Sequence, residues 1–225
     1  MPNSWRFTGI LFVLLAALGE SQLHAAETPQ RNARIRPDMA RGAELFRTCQ
    51  ICHGPNGAGT QDGNVPTIAG QHSAVIAKEL RDFRTQRRWD FEMERIAGKH
   101  ILKDGKDILD VAAYVNALPR TGSPETGDGV FLERGEAVYQ TQCASCHGVH
   151  AEGSQARSVP RLAGQHFSYL LRQMYNAADA RRPNMSATHI RRVQGLVMEE
   201  FQGIADYLSR QGAHREDLYP IRKME

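Results

Sequence analysis

The sequence is poor in cysteine, shows no strong charge of either sign and has no long apolar run beyond its first residues. Four cysteines in 225 residues are too few for a disulfide-dense secreted scaffold. The 28 Lys plus Arg exceed the 25 Asp plus Glu by little and are spread along the chain. They leave no electrostatic footprint for nucleic acid, so no DNA or RNA partner is expected. A composition of 41% hydrophobic and 24% charged residues excludes wholesale disorder, and neither a collagenous nor a coiled-coil bias is present.

What is present begins at the N-terminus. Arg6 precedes an apolar stretch from about Ile10 to Leu18, the order of a secretory signal and too short to span a bilayer. Residues 1–26 are therefore read as a signal peptide cleaved after Ala25 or Ala26. An uncleaved anchor would need a longer apolar run. The mature chain is expected to be an exported, periplasmic protein with no stable membrane insertion.

An exported chain with four cysteines would ordinarily form two disulfides. Here they fall in Cys49-Gln-Ile-Cys52-His53 and Cys143-Ala-Ser-Cys146-His147, so every cysteine belongs to a C-x-x-C-H, the attachment sequence of c-type haem. The spacing has a chemical reason. Two thiols add to the two vinyl groups of one porphyrin, and the adjoining His53 or His147 then lies under the iron as an axial ligand. A redox C-x-x-C needs no following histidine, and a zinc site would need further ligands at finger or knuckle spacing. Two covalently attached haem c groups are expected.

The sequence also repeats itself. Cys49 and Cys143, Pro66 and Pro160, Ala69-Gly70-Gln71-His72 and Ala163-Gly164-Gln165-His166, and Arg87-Arg88 and Arg181-Arg182 are each 94 positions apart. This predicts domains over 37–120 and 130–212, a turn-rich linker over 121–129 and a polar tail over 213–225. Each half is small for a polypeptide core alone, and a covalently held haem would supply the missing apolar centre. Periodicity is helical throughout. Helices are expected from Ala40 to Arg47, His72 to Phe83 and Asp107 to Leu118, then Val130 to Gln142, His166 to Ala178 and Glu199 to Ser209. No sustained two-residue alternation appears, so the fold class is all-α.

These residues resemble the class I cytochromes c, and in tandem they are similar to the dihaem cytochromes of the cytochrome c4 kind, over nearly all of the mature chain. The resemblance implies two cytochrome c domains, each wrapped around one haem. It implies that Gly42 and Phe46 face Tyr114 and that Gly135 and Tyr139 face Tyr207, as first helix meets last. It further implies that the carbonyls of Pro66 and Pro160, each 13 residues beyond its haem histidine, accept the Nδ1 hydrogen bond of His53 and His147.

The sixth ligand decides what such a haem does. Met93 lies 40 residues after His53 and Met185 lies 38 after His147. Both follow the repeated Arg pair and match the family's distal loop, so Met93 and Met185 are the expected ligands. Met174 falls inside a helix, where methionine more often fills core space, and Met198 has no counterpart in the first half. A bis-histidine alternative runs through His100 or His189, which do not coincide in the repeat. His72 and His166 fit capping or haem-edge roles better than ligation. Arg87, Arg88, Arg181 and Arg182 suit haem propionates or plain solvent exposure.

With His and Met on both irons no position is vacant for a substrate. The expected function is a single-electron relay between redox proteins: a membrane respiratory complex or dehydrogenase on one side, a terminal oxidase or reductase on the other. Two alternatives stay open. One is a dihaem enzyme with an open haem, of the peroxidase or thiosulfate-oxidising type; the other is the haem subunit of a flavocytochrome complex.

Overall fold

In the computed structural model, residues 36–212 are described; the signal peptide expected over 1–26 and the tail expected over 213–225 lie outside the described residues. The first half has four helices: α1 (Met39–His53), α2 (Ser73–Arg84), α3 (Phe91–Ala97) and α4 (Gly105–Ala117). The second has α5 (Leu132–Val138), running through a wider π-type segment (Tyr139–Cys143) into α6 (Ala144–His147), then α7 (Phe167–Ala178), α8 (Ala187–Gln194) and α9 (Met198–Ser209). Among the described residues there is no strand; an isolated bridge joins Ser154 and Val159.

Local chemistry sets these boundaries. Asp38 caps α1 by accepting from the Arg41 N–H, and Asp104 caps α4 by accepting from Lys106 and Asp107, each relieving orphan donors of the first turn. Helix α1 runs on through the whole haem motif and stops at Gly54, whose φ of 77° only glycine adopts without strain. Gly148, at φ 87°, stops α6 in the same place after His147. Two short helices, α3 and α8, lie where a distal loop was expected. Asp90 caps α3 and Ser186 caps α8.

In each half the first helix crosses the last at a glycine. A Cβ on Gly42 would lie 2.4 Å from the Asp110 carbonyl oxygen, and one on Gly135 would lie 1.9 Å from the Gly203 carbonyl carbon, so only hydrogen lets the backbones touch. Beside these crossings Phe46 meets Tyr114 at 5.4 Å between ring centroids, and Tyr139 meets Tyr207 at 5.5 Å. Such tilted pairs add ~0.5–1.5 kcal/mol to their area burial. The aromatic pairing implied by the family resemblance is therefore present in both halves. Around the two pairs close separate cores, one built on Leu45, Leu80, Phe83, Ile108 and Val111, the other on Leu132, Leu170, Ile204 and Leu208.

The π-type segment has a simple origin. Cys49 follows Phe46 by three residues, whereas Cys143 follows Tyr139 by four. One extra residue inside a helix is absorbed as a π-bulge. It lets Gly135 and Tyr139 keep their seat on α9 while the haem cysteines keep theirs.

The two halves clamp each other with near two-fold symmetry, and the Ala-Gly-Gln-His sequences form the clamp. Gln71 donates to the Arg161 carbonyl at 2.9 Å and accepts from the Arg161 N–H at 2.9 Å; Gln165 donates to the Thr67 carbonyl at 2.8 Å and accepts from the Thr67 N–H at 3.0 Å. His72 Nε2 reaches the Glu152 carbonyl at 2.8 Å, and His166 Nε2 the Ala58 carbonyl at 2.9 Å. Both histidines take the N-cap position that a capping role expects, but without the side-chain bond, and each ring serves the opposite domain. The connecting segment is tied down as well: Asp206 accepts from the Gly127 and Gly129 N–H groups, and Arg120 donates to the Ala69, Ala163 and Gly164 carbonyls.

Candidate haem-attachment sites

The C-x-x-C-H residues occupy the last helical turn before Gly54 and before Gly148. Helical spacing puts Cys49 and Cys52, and Cys143 and Cys146, about one turn apart on one face, and no two of them form a disulfide. Cys49 and Cys143 are half-buried, and burial pushes each thiol up to about 11. A thiol held protonated is a poor redox nucleophile, which argues against a thioredoxin-like pair.

The histidines are nearly inaccessible, at 6% exposure for His53 and 8% for His147. His53 Nδ1 lies 2.9 Å from the Pro66 carbonyl oxygen and His147 Nδ1 lies 3.1 Å from that of Pro160. A carbonyl only accepts, so Nδ1 carries the proton and Nε2 is left with its lone pair directed away. Burial lowers both histidines below their ordinary range, against the opposing effect of the proline carbonyls. Each is a neutral, oriented imidazole beside two thiols, the donor set that a c-type haem requires. Among the described residues no group of three or more His, Cys, Asp or Glu is arranged to hold a metal ion.

Of the expected sixth ligands, Met93 is the third residue of α3. Its N–H is fixed by the Asp90 cap at 3.0 Å, and its side chain packs half-buried on the N-terminal core. Met185 lies just before α8, its N–H bonded to the Arg182 carbonyl at 3.0 Å, and packs against Ala177, Val193 and Phe201. Met174 packs into both clusters of its domain, and Met198 is 63% exposed. His100 is exposed with its ring against Gly98. His189 faces His147, ring centroids 6.1 Å apart and planes at 61°. Burial lowers His189 too, aided by the Arg182 and Arg192 charges.

The second arginine of each pair is not the solvent-exposed residue expected. Arg88 and Arg182 converge on Glu79 at 2.7 and 3.1 Å, one from each domain, and both also reach Gln173. Asn184 donates to Asp82 at 2.9 Å. Burial alone would raise Glu79; the charges of Arg88, Arg182 and Lys78 outweigh it and hold the carboxyl below its ordinary value. Sequence reasoning missed this interdomain cluster because its partners lie about a hundred residues apart. Arg181 has the surface role expected, with a 3.5 Å contact to Asp179.

Similarity to known proteins follows the same division. The family model "Cytochrome c" matches residues 39–119, and "Cytochrome C oxidase, cbb3-type, subunit III" matches residues 131–208. A cytochrome c4 of Thiocapsa roseopersicina is 31% identical over 195 residues, covering 82% of this chain and 96% of the relative. A thiosulfate dehydrogenase electron acceptor of Stutzerimonas stutzeri is 32% identical, covering 73% of this chain and 79% of the relative. The crystal structure of reduced cytochrome c4 from Pseudomonas stutzeri superposes with a TM-score of 0.68 at 25% identity, covering 77% of this chain and 98% of that one.

Proposed function

Since the chain belongs to the cytochrome c4 family of dihaem electron-transfer proteins, we propose that it acts in the periplasm as a single-electron relay. It would take electrons from a membrane respiratory complex or dehydrogenase and deliver them to a terminal oxidase or reductase. A covalently bound haem supplies reversible one-electron chemistry at its iron. The protein supplies position. Cys49, Cys52 and His53 hold one haem, and Cys143, Cys146 and His147 hold the other. Pro66 and Pro160 fix the tautomer of each proximal imidazole, which strengthens it as a donor. Met93 would supply the sixth donor to the N-terminal haem, a thioether that favours the ferrous state. The sixth donor to the C-terminal haem would come from the segment 185–189, which offers the Met185 thioether and the His189 imidazole.

The observation that carries this reading is the doubled arrangement: a buried, carbonyl-anchored histidine beside two thiols in each half, with a donor side chain at hand in each distal segment. The clamp between the halves keeps the two sites at fixed separation, so an electron entering one domain can leave by the other without domain motion. The thiosulfate-dehydrogenase electron acceptor among the relatives favours a second reading of the donor, as a sulfur-compound dehydrogenase. In a stopped-flow test, the reduced holoprotein should be oxidised at both haems by oxidase-containing membranes and should show no turnover with peroxide or thiosulfate alone. Turnover of either molecule by the isolated protein would sink the carrier reading.

A further inference from the structure

We propose that His189, and not Met185, is the sixth ligand of the C-terminal haem iron, so that a bis-imidazole haem sits beside the thioether-ligated haem of the N-terminal domain. The inference rests on the reading of the chain as a carrier with two six-coordinate haems.

Helix register is the first argument. Counted from the repeated Arg pair, Met93 falls opposite Ala187, so Met185 and His189 are each displaced by two residues and spacing alone does not choose. The caps do. Asp90 caps α3 and accepts from the N–H of Met93; Ser186 caps α8 and accepts from the N–H of His189. Met93 and His189 are both the third residue of their helix. Each also stands four residues, about one turn, before that helix's buried residue, Ala97 in α3 and Val193 in α8. Met185 precedes the cap. Its counterpart is Trp89, which is 73% exposed.

Geometry is the second. Two metal–imidazole bonds of about 2.0–2.1 Å in line, with the ring radius added on each side, set the centroids of opposed ligands about 6 Å apart. The His147 and His189 centroids are 6.1 Å apart. Their 61° angle suits two rings standing edge-on to one porphyrin and rotated about a shared axis.

The third argument is an unmet group. Among the described residues the buried Nδ1 of His189 has no hydrogen-bond partner, so no bond at that nitrogen accounts for the ring's placement. Ligation through the other ring nitrogen does.

An imidazole in place of a thioether lowers the potential of its iron. The C-terminal haem would then be the electron-rich site and the N-terminal haem the acceptor within the molecule, which gives the relay a direction.

The test is near-infrared absorption and magnetic circular dichroism of the ferric dihaem holoprotein, reading methionine-to-iron charge transfer per haem. The wild type should show the band for one haem in two. Met93→Ala should abolish it, Met185→Ala should leave it unchanged, and His189→Met, which keeps a ligand and fills the site, should double it. In a redox titration His189→Met should raise the lower of the two waves and leave the upper in place. A band from both haems in the wild type, or its halving in Met185→Ala, overturns the inference while leaving the carrier reading intact. A high-spin, five-coordinate C-terminal centre overturns both.

Discussion

Replacing Gly135 by Ala tests the helix crossing that holds the C-terminal domain together. The added Cβ would stand 1.9 Å from the carbonyl carbon and 2.0 Å from the carbonyl oxygen of Gly203, against an ordinary carbon contact of about 3.5–4.0 Å. Neither neighbour is a side chain that turns away, so α5 and α9 must separate by about 1.5–2 Å. Such overpacking costs ~1–3 kcal/mol and occasionally more. A backbone clash lies at the upper end, and the higher helix propensity of Ala returns ~1 kcal/mol. The expected net loss is about 2 kcal/mol, or about 4–8 °C in Tm for a domain pair of this size. Gly105→Ala is the control, because a Cβ there meets nothing within 4 Å; it should be neutral or slightly stabilising. Calorimetric or urea-induced unfolding of the two holoproteins decides. A Gly135→Ala protein within ~0.5 kcal/mol of wild type, the range of an inert surface change, would refute the claim that the crossing is backbone to backbone.

Three further outcomes are expected. Gln165→Ala removes both hydrogen bonds to Thr67 and strands a partly buried N–H and C=O, at ~1–3 kcal/mol; limited proteolysis of the 121–129 segment should quicken, as it should in Gln71→Ala, and an unchanged rate would rule out the clamp. Glu79 has its folded pKa depressed, with burial opposing and Arg88, Arg182 and Lys78 prevailing. Its stabilising contribution is therefore full above the ordinary carboxylate range near pH 4.3 and is lost as pH falls through the lowered value. Urea unfolding should thus show a gap between wild type and Glu79→Gln that is constant from pH 7 down to the ordinary carboxylate range and closes as pH falls below it, and a gap that stays constant under acid conditions would contradict the assignment. Met93→Ala should open the N-terminal iron, lower its potential and admit carbon monoxide to that haem alone, as read by difference spectra; a wild-type spectrum would reject Met93 as a ligand.

Local chemistry was legible in the sequence and long-range geometry was not. The two C-x-x-C-H motifs could be named from a short spacing that the duplicated pattern repeats, whereas the proline carbonyl partners and the Phe46–Tyr114 and Tyr139–Tyr207 pairs were implied only by the resemblance to the cytochromes c. Helix ends came within a few residues for most elements. Helix α1, however, runs to His53 rather than stopping near Arg47, since nothing in Thr48–Cys52 breaks it before Gly54. Helices α3 and α8 are too short to show a periodic stripe in the sequence, although Asp90 and Ser186 are the cap residues that signal them. The π-bulge was written in the change of the repeat offset from 93 at Tyr139 to 94 at Cys143. Gln71, Gln165, His72 and His166 gave no such signal. Their partners are carbonyl and amide groups of the other domain, which any residue provides, so only the folded pair reveals the clamp.

The central claim, that both irons are closed on both sides and pass electrons without binding a substrate, is tested most directly by titrating the dithionite-reduced holoprotein with carbon monoxide. Neither haem should change its spectrum at ligand concentrations that saturate an open ferrous haem. Stoichiometric binding at either one would contradict the account.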